Sequence, residues 1–205
     1  MPYRAAVLLT VLVPALAAGQ SASSLAPRVQ VETTHGNFVL ELDAVRAPLT
    51  TENFLRYVRD GYYDGTVFHR VIANFVVQGG GYDANLAPRQ ARAAIPNESG
   101  NGLSNRRGTI GLAREDSPHS GSSQFYVNLM DNVSLDPLPS RWGYAVFGRV
   151  VEGMDSIDRI AHLPTGSVAS LGQDVPHDRP MIRRAYVIET APAPAEQTPE
   201  AEAGR

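Results

Sequence analysis

The chain has 205 residues, 43% of them apolar, a formal net charge of −3 at pH 7 and a pI near 5.9. That is enough for one domain, or at most two small ones, with a filled core. No basic block exceeds the pair Arg106-Arg107, which argues against a nucleic-acid surface. With 18 glycines, 15 prolines and no cysteine, turns and strands are favoured over a helical bundle, and there is neither a disulfide nor a lipid attachment site.

In chain order, residues 1–17 carry Arg4, then an apolar run, then the small-x-small pattern Ala15-Leu16-Ala17. This reads as a cleaved secretory signal, because a membrane span needs ~20 apolar residues, whereas this run is about a dozen with Pro14 near its end. Residues 18–26 form a flexible lead-in, and 27–190 form the folded domain. Val29, Val31 and Thr33 alternate before His35-Gly36-Asn37, and Phe38, Leu40 and Leu42 alternate after it, a hairpin pattern. A helix follows around Phe54, Tyr57 and Val58, with Pro48 before it, Thr50 or Thr51 as cap and Gly61 as its stop.

Short strands are predicted in "TVFHRVI", "NFVVQGG", "GTIGLAR", "SSQFYVNL", "YAVFGRVVEG" and "PMIRRAYVIET". A second helix places Met154, Ile157, Ile160 and Ala161 on one side and ends by Pro164. Two helices and eight strands without βαβ spacing predict an all-β fold, a closed antiparallel barrel whose ends the helices cover. An open sandwich is the alternative that periodicity leaves standing. Residues 82–107 make a long polar loop, and such loops tend to carry function. The Ala/Pro/Glu-rich end, 191–205, reads as a disordered tail.

Several chemistries find no support. The five histidines lack metal-ligand spacing and cysteine is missing, so no metal is expected. The triplet Gly79, Gly80 and Gly81 has no following Lys-Ser/Thr, so it is not a phosphate loop. Asp116, His119 and Ser120 are crowded into one short segment without a nucleophile elbow, which argues against a hydrolase triad.

Taken together, "GYYDGTVFHRVIANFVVQGGG", "GTIGLAR", "GSSQFYVNL", Leu135-Asp136 and "YAVFGRVVEGMDSIDRI" resemble the cyclophilin family of peptidyl-prolyl isomerases over nearly all of residues 29–189. The signal and the "NGLSNRRGTIGLAR" segment resemble the periplasmic bacterial members. The resemblance implies a closed eight-stranded antiparallel barrel capped by two α-helices, and isomerisation of X–Pro bonds without metal or cofactor. It implies Arg70 as the catalytic residue, with Phe75, Val76, Tyr126, Leu135 and Tyr144 around a proline pocket. Gln78, Ala113, Arg114 and Gln124 would lie along the peptide groove, and His69 would support the site structurally through a ring nitrogen bonded to backbone.

Where the cytosolic forms have methionine, phenylalanine and histidine, this chain has Val76, Tyr126 and Tyr144. The Tyr126 hydroxyl therefore either finds a partner or narrows the pocket. Ser134 stands where those forms carry a rim tryptophan, and Trp142 lies eight residues on. The partners implied are proline-containing unfolded or exported polypeptides, met in the periplasm by a monomer, with no nucleic acid and no membrane insertion of the mature chain. A non-catalytic peptide-binding or chaperone module using the same groove is the alternative; the presence of Arg70 argues against it.

Overall fold

A computed structural model describes residues 26–188; the signal and the tail expected from the sequence lie outside them. Strand β1 (Arg28–Thr33) turns into β2 (Gly36–Leu42), followed by helix α1 (Pro48–Arg59), β3 (Thr66–Ile72) and β4 (Val76–Asp83). After a long loop come β5 (Thr109–Leu112), β6 (Phe125–Asn128), a single 3₁₀ turn at Val133–Leu135, and β7 (Val146–Glu152). Helix α2 (Met154–Ala161), the short hairpin β8 (Thr165–Val168) and β9 (Gly172–Pro176), and β10 (Ile182–Ile188) complete the chain.

Eight strands form one antiparallel sheet in the order β10-β1-β2-β7-β5-β6-β4-β3. The expected closed barrel is not what forms. The sheet is an open, strongly curled half-barrel whose edges stand 6 Å apart. Only isolated bonds cross the gap, from the Gly65 N–H to the Ile182 carbonyl (2.7 Å) and from the Phe68 N–H to the Pro180 carbonyl (2.8 Å). The pairing of β3 with β4 carries two register shifts, between Thr66 and Phe68 and between Phe68 and Arg70, which bend β3 and raise its local twist, and toward β10 it keeps only the isolated bridge Val67–Met181. That end of β3 is covered instead by β9, through a small apolar cluster of Val67, Leu86 and Val175. The β8–β9 hairpin was not foreseen from the sequence.

The core lies inside the curl. Phe38, Leu40, Phe68, Val77, Ile110, Val127 and Phe147 project into it from the sheet, and α1 and α2 close it with Phe54, Tyr57, Ile157 and Ile160. Around Phe54 the rings of Tyr63, Phe125 and Phe147 have centroids 5.1, 5.5 and 5.3 Å away, near the preferred range for tilted and edge contacts.

Both helices form where the apolar spacing placed them, but α1 is not capped by Thr50 or Thr51. Ala47 holds the N-cap position, without a side-chain bond, and Pro48 begins the helix. The Glu98 carboxylate accepts from the backbone N–H of Leu49 (3.1 Å) and of Thr50 (2.7 Å), and from the Thr50 hydroxyl (2.7 Å). The cap thus comes from the long loop, about fifty positions away in sequence, and neutralises the orphan donors at the positive end of the helix.

Candidate active site

Arg70 owes its position to a β-bulge. Phe68 pairs with Gly79 and Arg70 with the adjacent Gln78, so His69 is the extra residue on β3. In a regular strand Phe68 and Arg70, two apart, would share a face. The bulge sends Phe68 into the core, fully buried, and turns Arg70 outward. Arg70, Gln78, Tyr126 and Gly111 are then successive partners across β3, β4, β6 and β5. This row lies one residue out of phase with the core row Val71, Val77, Val127 and Ile110, on the opposite face of the sheet.

Along the row, Arg70 Nη1 donates to Gln78 Oε1 (3.2 Å), and Gln78 Nε2 donates to Gln124 Oε1 (2.9 Å). The Gln124 side chain lies over Gly81, where any Cβ would come within 2.6–2.7 Å of it, so the last glycine of the triplet is required by close approach. Arg70 is half-buried, and no carboxylate among the described residues pairs with it.

Beside it, His69 is 5% exposed, its ring centroid is 4.5 Å from that of Tyr82, and Nδ1 has no hydrogen-bond partner. The Val67 backbone faces the ring and favours its protonated form, but burial outweighs it. Burial, with the Arg70 charge adding to it, lowers the imidazole pKa from 6.5 to about 4. The ring stays neutral and does not compete with Arg70.

Tyr126 is 3% exposed, and its ring lies across Gly111, where a Cβ would collide with the ring and hydroxyl. The hydroxyl finds a partner: it donates to Asn105 Oδ1 (2.7 Å) in the long loop. Burial raises the phenol pKa well above its usual value, so it remains a donor. The Tyr144 ring meets Tyr126 edge-on, with centroids 6.1 Å apart. Phe75 and Leu135 are half-buried and Val76 is buried. Leu135 ends the 3₁₀ turn, whose carbonyl accepts the Tyr144 N–H (2.9 Å). Ala113, Arg114, Gln78, Gln124, Glu115, Ser120 and Ser122 line a recess of about 150 Å³ next to the row.

Arg114 does more than line that recess. Its guanidinium lies over the Tyr144 ring at 4.4 Å and donates to the carbonyls of Gly143 (3.2 Å), Trp142 (3.1 Å) and Glu115 (2.7 Å). It therefore clamps the segment leading into Tyr144. Trp142 itself packs edge-on against His119 (5.1 Å), while Arg141 reaches the Ser134 carbonyl (2.5 Å). The serines and histidine rejected as a triad hold a turn: Ser120 Oγ donates to the Ser117 carbonyl (2.6 Å), and His119 Nδ1 accepts from Asn97 N–H (3.0 Å). No group of three or more His, Asp or Glu placed to hold a metal occurs among the described residues.

Sequence reasoning missed Asn105 and Glu98. The only signal for them was the length and polarity of their loop. No helix among the described residues is long and apolar enough to cross a membrane.

Residues 28–187 match the model of the family described as cyclophilin type peptidyl-prolyl cis-trans isomerase/CLD. A peptidyl-prolyl cis-trans isomerase of Streptomyces antibioticus is 48% identical over 164 residues, 78% of this chain and 98% of that protein. Peptidyl-prolyl cis-trans isomerase B of Escherichia coli is 42% identical, with 78% of this chain and 99% of that protein covered. Isomerase A of Dickeya dadantii is also 42% identical, covering 88% and 92%. A cyclophilin-type isomerase of Cryptosporidium parvum shares the fold, with a TM-score of 0.66 at 24% identity over 81% of this chain and 99% of that one. By the family match across most of its length and by relatives above 40% identity, this chain belongs to the cyclophilin-type peptidyl-prolyl cis-trans isomerases.

Proposed function

We propose that the protein isomerises X–Pro peptide bonds at the outer-face row, with Arg70 as the catalytic residue. The observation that carries the reading is a guanidinium without a carboxylate partner among the described residues, held by Gln78 on the sheet row that also carries Tyr126. Rotation about an X–Pro bond must break amide resonance, a barrier of roughly 20 kcal/mol. At the twisted transition state the proline nitrogen becomes pyramidal and gains a lone pair. A donor aimed at that nitrogen stabilises the transition state more than either planar isomer, and no covalent bond to the protein forms.

Phe75, Val76, Tyr126, Leu135 and Tyr144 hold the pyrrolidine ring while the segment before it turns. Gln78, Ala113, Arg114 and Gln124 bind the extended peptide, with Gln78 also steering Arg70. His69, uncharged, packs beneath the arginine without adding a competing cation. Replacing Arg70 by alanine is expected to lower kcat/KM about 10²–10³-fold, as for other lost electrostatic donors, with a much smaller loss of peptide affinity. Wild-type-like turnover by the folded variant would remove Arg70 from the mechanism.

The clients are proline-containing unfolded or exported polypeptides, and the site of action is the periplasm, where the protein works as a monomer. The signal-like pattern of residues 1–17 supports export. Intact mass of the native protein from the cell envelope tests it: a chain beginning near Ala18 is expected, and a retained Met1–Ala17 segment contradicts it.

A further inference from the structure

Behind the pocket, on the side away from solvent, lies a group of amide side chains that the isomerase chemistry does not use. Asn105 is fully buried in the long loop, and Asn128 is fully buried on β6. Asn132, 6% exposed, precedes the 3₁₀ turn. Asn105 Oδ1 accepts from the Tyr126 hydroxyl (2.7 Å) and from Asn128 Nδ2 (3.2 Å). Asn105 Nδ2 and its backbone N–H both donate to Asp136 Oδ1 (2.8 Å each), and Nδ2 also faces the Tyr144 carbonyl (3.5 Å). Ser104 Oγ binds the other Asp136 oxygen. From Asn128 Oδ1 the chain of bonds continues to Asn132 Nδ2 (2.8 Å), which also donates to the Phe75 carbonyl (2.8 Å).

The four attachment points are residues assigned above to the proline pocket or their immediate neighbours. Phe75 comes from the β3–β4 turn, Tyr126 from β6, Leu135-Asp136 from the 3₁₀ turn, and Tyr144 from the approach to β7. No secondary-structure ladder links all four. Burying so many amides is costly unless every group is bonded, and here the bonds converge on the backs of the pocket residues. An apolar core alone would not fix three irregular segments against strand β6 at angstrom precision, whereas directional bonds do.

We propose that Asn105 is a positioning residue for this reaction: by tethering the Tyr126 hydroxyl and Asp136, it sets the shape of the proline pocket. The inference rests on the pocket assignment made above. Because the pocket grips the ring equally in planar and twisted states, loosening it weakens binding of both alike. KM therefore rises while kcat is largely kept. Arg70, whose effect falls on the transition state, shows the opposite split.

The test is a double-substitution cycle with Asn105→Ala and Tyr126→Phe, assayed for KM and kcat on an Ala-Ala-Pro-Phe peptide, with thermal melting as the folding control. Each single variant is expected to raise KM roughly three- to tenfold, the scale of one lost buried hydrogen bond, with kcat within about twofold. The pair is expected to fall well short of the product of the singles, because both remove the same tether. Multiplicative effects, or KM unchanged in either folded single variant, would overturn the inference. If Asn105→Ala does not fold, Tyr126→Phe decides alone: a raised KM supports the tether and an unchanged one overturns it. An inactive wild-type protein would instead sink the isomerase reading itself, so the two failures are distinguishable.

Discussion

At the scale of single residues, His69 shows how one extra position in a strand sets both geometry and charge. As the bulge residue it is pressed between β3 and Tyr82, and its native pKa of about 4 lies below the ordinary 6.5. Between those values the unfolded chain takes up a proton that the native ring refuses. Stability therefore falls as pH drops from 6.5 to 4, and this contribution levels off below 4. The carboxylates held low by arginine partners, such as Glu41 and Glu52, lose their stabilisation only below the ordinary glutamate value of 4.5. Between 6.5 and 4.5 the effect of His69 is read by comparing the protein with a variant that lacks this ring. The cost at pH 4.5 relative to pH 7 is expected to be about 1–3 kcal/mol. His69→Phe, which keeps an aromatic ring against Tyr82, is expected to flatten that part of the profile. Urea unfolding at pH 7, 5.5 and 4.5 reads the difference; parallel profiles for both proteins would mean the ring protonates freely in the native state.

At the scale of elements, the long loop does structural work that its polarity conceals. Glu98 caps α1 at three donors, and Asn105 reaches the pocket from the same loop. Glu98→Ala is expected to destabilise the fold by about 1–2 kcal/mol, since it removes both a cap and a favourable charge at the helix N-terminus. Chemical denaturation measures this, and a change below ~0.3 kcal/mol would show that water replaces the carboxylate without loss. The same element explains the capping error. Thr50 and Thr51 stand near the correct position in sequence, but Thr50 gives its hydroxyl to Glu98 and the Thr51 hydroxyl is buried without a partner. Local pattern identified where the helix starts, and a distant segment supplied the cap.

At the scale of the whole molecule, the open sheet has a dynamic consequence. The Gly65 and Phe68 amides cross to the β10 side through isolated bonds, whereas the strand interior between β4 and β6 is held by a continuous ladder from Val76 to Gly79. Hydrogen exchange is expected to be faster at Gly65 and Phe68 than at Val77 and Val127, because local opening breaks one bond rather than several. Equal protection at the two places would mean that the edges open only with the entire sheet. Since Phe68 immediately precedes the bulge that turns Arg70 outward, opening at this edge reaches the Arg70 side chain through two residues of backbone.

Periodicity by itself determined the helices and the eight principal strands, because burial on one face imposes a period that side chains record. The family resemblance of the FHR–Q–GG motif singled out Arg70 and Gln78, and the two pair across one hairpin. Closure of the sheet was not legible, because it depends on bulges that shift the register of β3 without altering its apolar composition. The fate of the Tyr126 hydroxyl was equally hidden. Its partner, Asn105, lies 21 positions away in a loop with no periodic signal, and only the folded chain brings the two within 2.7 Å. Hydrogen bonds between distant polar side chains leave no pattern in a single sequence, whereas repeated burial of apolar ones does.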